Sequence, residues 1–206
     1  QGFDVCFQWF EFENGDADVP PGDFFPEPPP GFPDEMIIPD GTDYVYNSCG
    51  TFGTGNDCPY KAVHFPASVK SILNAALAEC TDLKNVTFAE GSVLETIGLG
   101  AFLGTNLNSL HLPATLESIG DMAFVNCCAD LTSDLKTVTF AEGSVLKSIG
   151  EVAFAFTNLN SVDFPASLES IGAVAFQGCT DLKTVTFAEG SVLKSIGEAA
   201  FAFTNL

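Results

Sequence analysis

The stretch 180–206, TDLKTVTFAEGSVLKSIGEAAFAFTNL, repeats the stretch 133–159, SDLKTVTFAEGSVLKSIGEVAFAFTNL, with two substitutions. The two copies are 47 residues apart (180 − 133), and a shorter related unit, TNLNSVDFPASLESIGAVAFQGC, occupies 157–179. Such self-similarity at a fixed period is typical of repeat architectures. The units in register are 58–80, 81–104, 105–132, 133–156, 157–179 and 180–203. The third carries about five extra residues near 127–131, which predicts a loop that leaves one coil.

Each unit has the form L-x-x-V-x-F, a turn, L-x-x-I-G and A-F. Alternation at Val185 and Phe187 predicts a short strand, because side chains alternate between the two faces of a strand. The return side of the same coil is formed by Leu193, Ile196, Ala200 and Phe201. A period of 23–24 residues lies within the range of leucine-rich repeats. The expected fold is therefore a β-rich leucine-rich-repeat solenoid of about six stacked coils with a parallel β-sheet, whose stability is roughly additive along the stack.

The unit resembles one family of such repeats in particular. Phe164-Pro165, Leu168, Ile171-Gly172, Ala175-Phe176 and Cys179 match the pattern of the BspA-like (Treponema pallidum type) leucine-rich repeat. The resemblance covers about 58–206 and implies a secreted or surface protein that lacks catalysis and acts in adhesion and protein interaction. The F-A-E-G-S-V-L variant has one inserted residue, which is expected to reshape a turn only.

The first 57 residues differ in composition. They hold twelve acids and no base, since the first lysine is Lys61, and they carry most of the prolines. We therefore expect two parts, an acidic N-terminal segment at 1–57 and the solenoid at 58–206. Within the first part, 3–12 predicts an aromatic strand, 20–33 predicts polyproline II structure, and 36–60 predicts a cap over the first coil.

The charge excludes several functions. The chain has 27 acidic residues, 7 lysines and no arginine, for a net charge of −20. Nucleic-acid binding is excluded, because this charge repels phosphate backbones and arginine, the usual bidentate phosphate ligand, is absent. No apolar run approaches the roughly 20 residues that span a bilayer, so no membrane insertion is expected.

Seven cysteines are present. Cys49 and Cys58 enclose the glycine-rich loop CGTFGTGNDC and are the candidate disulfide at the entry to the solenoid. Cys80, Cys127 and Cys179 share one repeat position on alternate coils, about 9.6 Å apart, and predict a column of buried thiols. No C-x-x-C motif or histidine pair indicates zinc, and neither a metal nor another cofactor is expected. Asp16/Asp18 and Asp40/Asp43 leave calcium open as an alternative, although neither pair forms a full binding loop.

One column of polar residues follows the central strand residue of each coil. Its members form the predicted interaction face, Thr87, His111, Thr139, Asp163 and Thr186, with His64 one coil earlier. The two histidines lie two coils apart, so they cannot share a metal, and His111 has no carboxylate and nucleophile beside it for a catalytic triad. The repeated T-V-T leaves ice binding as an alternative, but every second coil interrupts the threonine array. Asn85-Val86-Thr87 is a glycosylation sequon on the same strands.

These features predict a non-catalytic extracellular protein that is secreted or on the cell surface. Two versions stay open. One is a subunit that contacts itself head to tail and assembles into a fibre or matrix; the other is a monomeric adhesin that recognises extracellular protein or glycan. The chain starts at Gln1 and stops three residues into a seventh unit, which indicates a cropped array or an edge covered by a second copy. An enzyme would need an active site within 1–57, where no catalytic motif is visible.

Overall fold

The computed structural model describes residues 34–45, 58, 60–126 and 135–206. Regular structure in these ranges consists of short parallel strands. The strands are β1 (Glu35–Ile37), β2 (Tyr44–Val45), β3 (Ala62–Phe65), β4 (Ser71–Ile72), β5 (Asn85–Phe88), β6 (Thr96–Ile97), β7 (Ser109–Leu112), β8 (Ser118–Ile119), β9 (Thr137–Phe140), β10 (Ser148–Ile149), β11 (Ser161–Phe164), β12 (Ser170–Ile171), β13 (Thr184–Phe187) and β14 (Ser195–Ile196). The described ranges contain no long apolar helix of the kind that crosses a bilayer.

Each coil contributes one longer strand and one two-residue strand. The longer strands stack as β1-β3-β5 and as β7-β9-β11-β13, and the two-residue strands form one seven-stranded parallel sheet from β2 to β14. Consecutive coils pair in register, as Ile149 does with Ile171. The predicted fold class, a parallel leucine-rich-repeat solenoid of about six coils, is confirmed.

The solenoid begins upstream of the expected boundary at residue 57. Strand β1 pairs with β3, with Glu35 opposite Ala62, and β2 pairs with β4, with Tyr44 opposite Ser71. Residues 34–45 therefore form part of a further coil, and the boundary drawn before residue 58 is too late. Their acidic and proline-rich composition concealed the alternation of Met36 and Ile38, both of which are buried. The predicted strand at 3–12, the polyproline segment at 20–33 and the predicted loop at 127–131 lie outside the described residues.

Columns of identical apolar residues form the core. The isoleucines of the two-residue strands from Ile72 to Ile171 are at most 2% exposed. A second column is a stack of phenylalanine rings. Its centroids are 5.1 Å apart between Phe102 and Phe124, 5.0 Å between Phe124 and Phe154, 5.3 Å between Phe154 and Phe176, and 5.2 Å between Phe176 and Phe201. Because a single coil cannot bury these faces, the core exists only in the stack.

The third side of each coil is a series of tight turns. Phe154 N–H donates to the Ala175 carbonyl of the next coil at 2.8 Å, while Ala155 N–H closes a turn onto the Val152 carbonyl at 3.1 Å. The turns place non-glycine residues such as Val152 (φ 61°) and Phe156 (φ 60°) in the left-handed region. Such residues cost about 1 kcal/mol each, and the hydrogen bonds between coils offset that cost.

The disulfide differs from the expected one. Cys58 bonds to Cys80, with Cα atoms 5.1 Å apart and a sequence separation of 22. The expected Cys49–Cys58 pair is therefore wrong for Cys58, and Cys49 lies outside the described residues. The physical reason is that Cys58 occupies, one coil earlier, the column of Cys80, and adjacent strands lie only about 4.8 Å apart.

The predicted column of buried thiols at Cys80, Cys127 and Cys179 also needs correction. Cys80 is in a disulfide, Cys127 lies outside the described residues, and Cys179 is a buried free thiol. Burial raises the pKa of the Cys179 thiol, and a hydrogen bond with Thr157 opposes that rise. The Cys179 Sγ lies 3.2 Å from the Phe154 carbonyl, so the thiol acts as a packed donor within the core.

Replacing Cys80 by alanine is expected to lower the stability of the first described coils by about 2 kcal/mol, because the crosslink closes a loop of one coil in the unfolded chain. Hydrogen exchange followed by mass spectrometry is the measurement, with faster exchange expected in 60–72 and unchanged exchange in 160–196. Cys179→Ala, which removes a buried thiol and no crosslink, is the control. Equal exchange in 60–72 for the parent chain and Cys80→Ala would contradict the prediction.

Candidate functional site

The residues of the predicted interaction face form a column on the longer strands. Register pairs His64 with Thr87, His111 with Thr139, and Asp163 with Thr186. The burial alternates along β7 and β11, so Ser109 and His111 are exposed while Leu110 and Leu112 are buried, and the other residues of the column are exposed or, for His64, half-buried. All five residues of the predicted face, together with His64, therefore lie on the outer side of the strands.

The column is organised into hydrogen-bonded pairs. The Nδ1 of His64 lies 2.7 Å from Thr87 Oγ1, and the Nδ1 of His111 lies 2.8 Å from Thr139 Oγ1. Thr186 donates its hydroxyl proton to the carboxylate of Asp163. These contacts join the outward side chains of neighbouring coils, so the polar groups of the column form hydrogen-bonded pairs across the strands.

The pairs do not assemble catalytic chemistry. His111 contacts Thr139 rather than a carboxylate, and the Asp163 carboxylate accepts from Thr186. His64 Nε2 lies 3.6 Å from Glu35 Oε2, with both side chains well exposed. Among the described residues, no three histidine, cysteine or acidic side chains converge on a point that could hold a metal ion.

From β3 onward, strand pairing on this face alternates in strength. The ladders β3–β5, β7–β9 and β11–β13 each join four residue pairs. Between them, β9 and β11 share the single pair Thr137 and Ser161, and β5 and β7 fall in different sheets. The repeating unit of the face is thus a pair of coils, and a junction separates one pair from the next.

A proline follows the second strand at each of these two junctions. At a strong ladder the residue after the strand donates to the previous coil, as Ala141 N–H does to the Leu112 carbonyl at 2.9 Å. At the junction after β9 the equivalent residue is Pro165, which has no N–H to donate to the Phe140 carbonyl. Pro113 has the same place after β7. Sequence reasoning missed these junctions, although the proline in alternate units was a visible signal.

The junction after β9 opens into a groove. It encloses about 400 Å³, and it is lined by Phe140, Glu142, Ser144, Asp163, Phe164 and Pro165 among others. The rings of Phe140 and Phe164 are 6.4 Å apart, against 5.3 Å for Phe164 and Phe187 across the next strong ladder. We call this depression the β9–β11 groove.

The opposite sheet carries a column of lysine–acid pairs between neighbouring coils. Lys147 bonds to Glu117 at 2.7 Å and Lys194 to Glu169 at 2.6 Å, each lysine reaching the acid of the preceding coil. Lys70 bonds to Asp43 at 3.1 Å. The hydrogen bond and charge of Glu117 raise the pKa of Lys147, and those of Lys194 lower the pKa of Glu169. These pairs are exposed and favour register rather than overall stability.

Lys194→Met is expected to return the pKa of Glu169 upward toward the ordinary glutamate value, which carbon-13 NMR titration of the carboxyl group measures. The lowered pKa means that the pair stabilises the fold above the ordinary glutamate pKa, and that this contribution is lost as pH falls through the lowered pKa. Lys183→Met, which removes an equal charge from the neighbouring strand, is the control. A Glu169 pKa that is the same in both variants would contradict the assignment.

The remaining candidate residue is Asn85. It is exposed at the start of β5, opposite Ala62, on the same side of the sheet as Thr87. A glycan there would project from the interaction face. Glycosylation of Asn85 stays a prediction.

A parallel solenoid of 23–24-residue coils with these leucine, isoleucine and phenylalanine columns is a leucine-rich-repeat protein. Proteins of this class generally act as non-catalytic scaffolds that mediate protein–protein contact. Within the class, the chain belongs to the BspA-type leucine-rich repeat family, whose model matches six copies over residues 35–132 and 96–206.

Several solved structures are similar to the chain. The pneumococcal vaccine antigen PcpA is 29% identical, with a TM-score of 0.60 over 75% of this chain and 36% of that one. The leucine-rich-repeat protein of T. pallidum is 24% identical, with a TM-score of 0.51 over 85% of this chain and 77% of that one. A leucine-rich cell surface protein of Faecalibacterium prausnitzii is 22% identical, with a TM-score of 0.43 over 74% of this chain and 50% of that one.

This chain thus spans little more than a third of the PcpA structure. Among curated proteins, none matches it significantly.

Proposed function

We propose that the chain is a non-catalytic extracellular binding protein that contacts a protein or glycan partner through its strand face. The observation that carries the proposal is the column from His64 to Thr186, in which polar side chains of neighbouring coils are hydrogen-bonded in pairs. A paired array of this kind offers hydrogen-bonding groups at a regular spacing with a reduced ordering cost on binding.

Two observations support an extracellular location. The Cys58–Cys80 disulfide indicates an oxidising compartment, because disulfides rarely persist in the cytosol. PcpA, a pneumococcal vaccine antigen, shares 29% identity with the chain. Adhesion is the function most consistent with both an extracellular location and a polar, non-catalytic binding face.

The test is a binding screen of the purified chain against immobilised extracellular proteins and glycans. The face variant Thr87→Ala/Thr139→Ala/Thr186→Ala removes three hydroxyls from the column. The matched control, Ser118→Ala/Ser148→Ala/Ser170→Ala, removes three hydroxyls from the opposite sheet.

Each ligand of the parent chain is expected to bind the face variant at least about tenfold more weakly, since each lost hydrogen bond is worth about 1 kcal/mol. The control is expected to bind like the parent. A face variant that binds as tightly as the control would overturn the proposal.

A second candidate function is end-to-end assembly. It is favoured by the near identity of 133–159 and 180–206, because coils of the same sequence offer a second copy the same backbone edges that they offer their neighbours within the chain. Such a contact would continue the parallel sheets head to tail, as in a filament. Negative-stain electron microscopy with light scattering tests this function. Regular filaments are expected, and a monodisperse monomer would exclude it.

A further inference from the structure

The β9–β11 groove lies on the proposed binding face and has a defined chemistry. Glu142 and Asp163 are at its rim, no lysine is among the described residues that line it, and the Phe140 carbonyl receives no N–H from Pro165. When ionised, the two carboxylates of its lining can accept hydrogen bonds but cannot donate them. A ligand that fits must supply donors and positive charge.

The groove also has an apolar part. Phe140, Pro165 and Ala166 are half-buried and line it, whereas the ring of Phe164 is 1% exposed and belongs to the core beneath. A volume of about 400 Å³ accommodates one long side chain together with the backbone that carries it. Apolar walls with an acidic rim suit a chain of methylenes that ends in a cation, because such a side chain buries its stem and keeps its charged end near the rim.

We propose that the β9–β11 groove binds a lysine side chain of a basic partner protein. The methylenes pack on Phe140 and Pro165, and the ammonium donates to Glu142 and Asp163. The inference rests on the proposed binding function of the strand face and names the chemistry of its partner. The net charge of −20 supports it, since a strongly acidic protein attracts basic partners over a distance and speeds their association.

The chain contains an internal comparison. The segment F-A-E-G-S occurs at both junctions, at 88–92 and at 140–144, and a proline follows the next strand in each case. At the earlier junction His111 takes the place of Asp163, so that site has one carboxylate fewer at neutral pH. The β9–β11 groove is therefore expected to bind the cation more tightly than the earlier junction.

The experiment is a nitrogen-15 NMR titration of the full chain with N-acetyl-lysine N-methylamide. Chemical-shift changes are expected in 140–144 and 163–166, with weaker changes at 88–92. The norleucine analogue has the same stem without the ammonium and is expected to produce no saturable changes. Asp163→Asn, which keeps an oxygen that can accept from Thr186, is expected to weaken binding about fivefold, the effect of about 1 kcal/mol. Asp181→Asn removes one charge elsewhere and is expected to leave the affinity unchanged.

Shifts spread over the surface, equal responses to lysine and norleucine, or equal effects of Asp163→Asn and Asp181→Asn would overturn the inference. Saturable shifts in 140–144 with CaCl2 and none with the lysine analogue would also overturn it, in favour of a calcium site. The two proposals fail separately. If the lysine analogue causes no shifts in the groove while the face variant loses its ligand, only the lysine site is rejected. If the lysine analogue causes localised shifts while the face variant binds like the parent chain, the binding function of the face is rejected.

Discussion

Replacing Phe154 with alanine lowers the free energy of unfolding by about 4 kcal/mol, the cost of removing a fully buried aromatic ring. Phe154 is 1% exposed and stacks between Phe124 and Phe176, with centroid distances of 5.0 and 5.3 Å. The cavity cannot close by local collapse, because the coils on both sides are held in place by hydrogen bonds to Phe154 and its neighbours. Urea denaturation followed by circular dichroism measures the loss.

Phe203→Ala is the matched control, since Phe203 is 76% exposed. It is expected to change the free energy of unfolding by less than about 0.5 kcal/mol. If Phe154→Ala cost no more than this control, the ring stack would not be a source of stability. A loss confined to the coils next to residue 154 would show instead that the solenoid unfolds in parts, as repeat proteins do when cooperativity is limited.

Gly150→Ala is expected to cost about 3 kcal/mol through a backbone collision. A Cβ at position 150 would lie 2.5 Å from the backbone nitrogen of Asp121 and 2.5 Å from the carbonyl carbon of Gly120. Gly120 and Gly172 meet the preceding coil in the same way. Because the obstructing atoms are backbone, the coils must separate to admit the methyl group, and thermal denaturation should show a marked fall in midpoint.

Gly143→Ala is the control, because it removes glycine's conformational freedom without causing a collision between coils. Gly143 has a φ of 75°, and a methyl group at its Cα would meet no atom of the described residues within 4 Å. Alanine there costs only the left-handed backbone, about 1 kcal/mol. Equal losses at positions 143 and 150 would show that backbone conformation, and not the approach of adjacent coils, explains the glycine column.

Much of the outward polar column could be predicted because it depends on periodicity within each unit. The alternation in S-V-D-F and T-V-T-F sets which side chains point outward, and identical spacing places His111, Thr139 and Asp163 in one column. The pairing of these residues was not predicted, since a hydrogen bond between neighbouring coils depends on side-chain orientations that the period does not specify. The same applies to the partner of each lysine on the opposite sheet.

The sequence by itself determined the class of fold, the length of the coil, the inward columns and the outward polar column, because these follow from side-chain alternation and from the burial of apolar faces between identical units. Only the tertiary structure decided the Cys58–Cys80 disulfide, the coil formed by 34–45 and the β9–β11 groove. Each of these depends on which residues adjacent coils place opposite one another. Cys58 lies opposite Cys80 in the adjacent coil. Pro165 lies opposite the Phe140 carbonyl and has no N–H to donate to it.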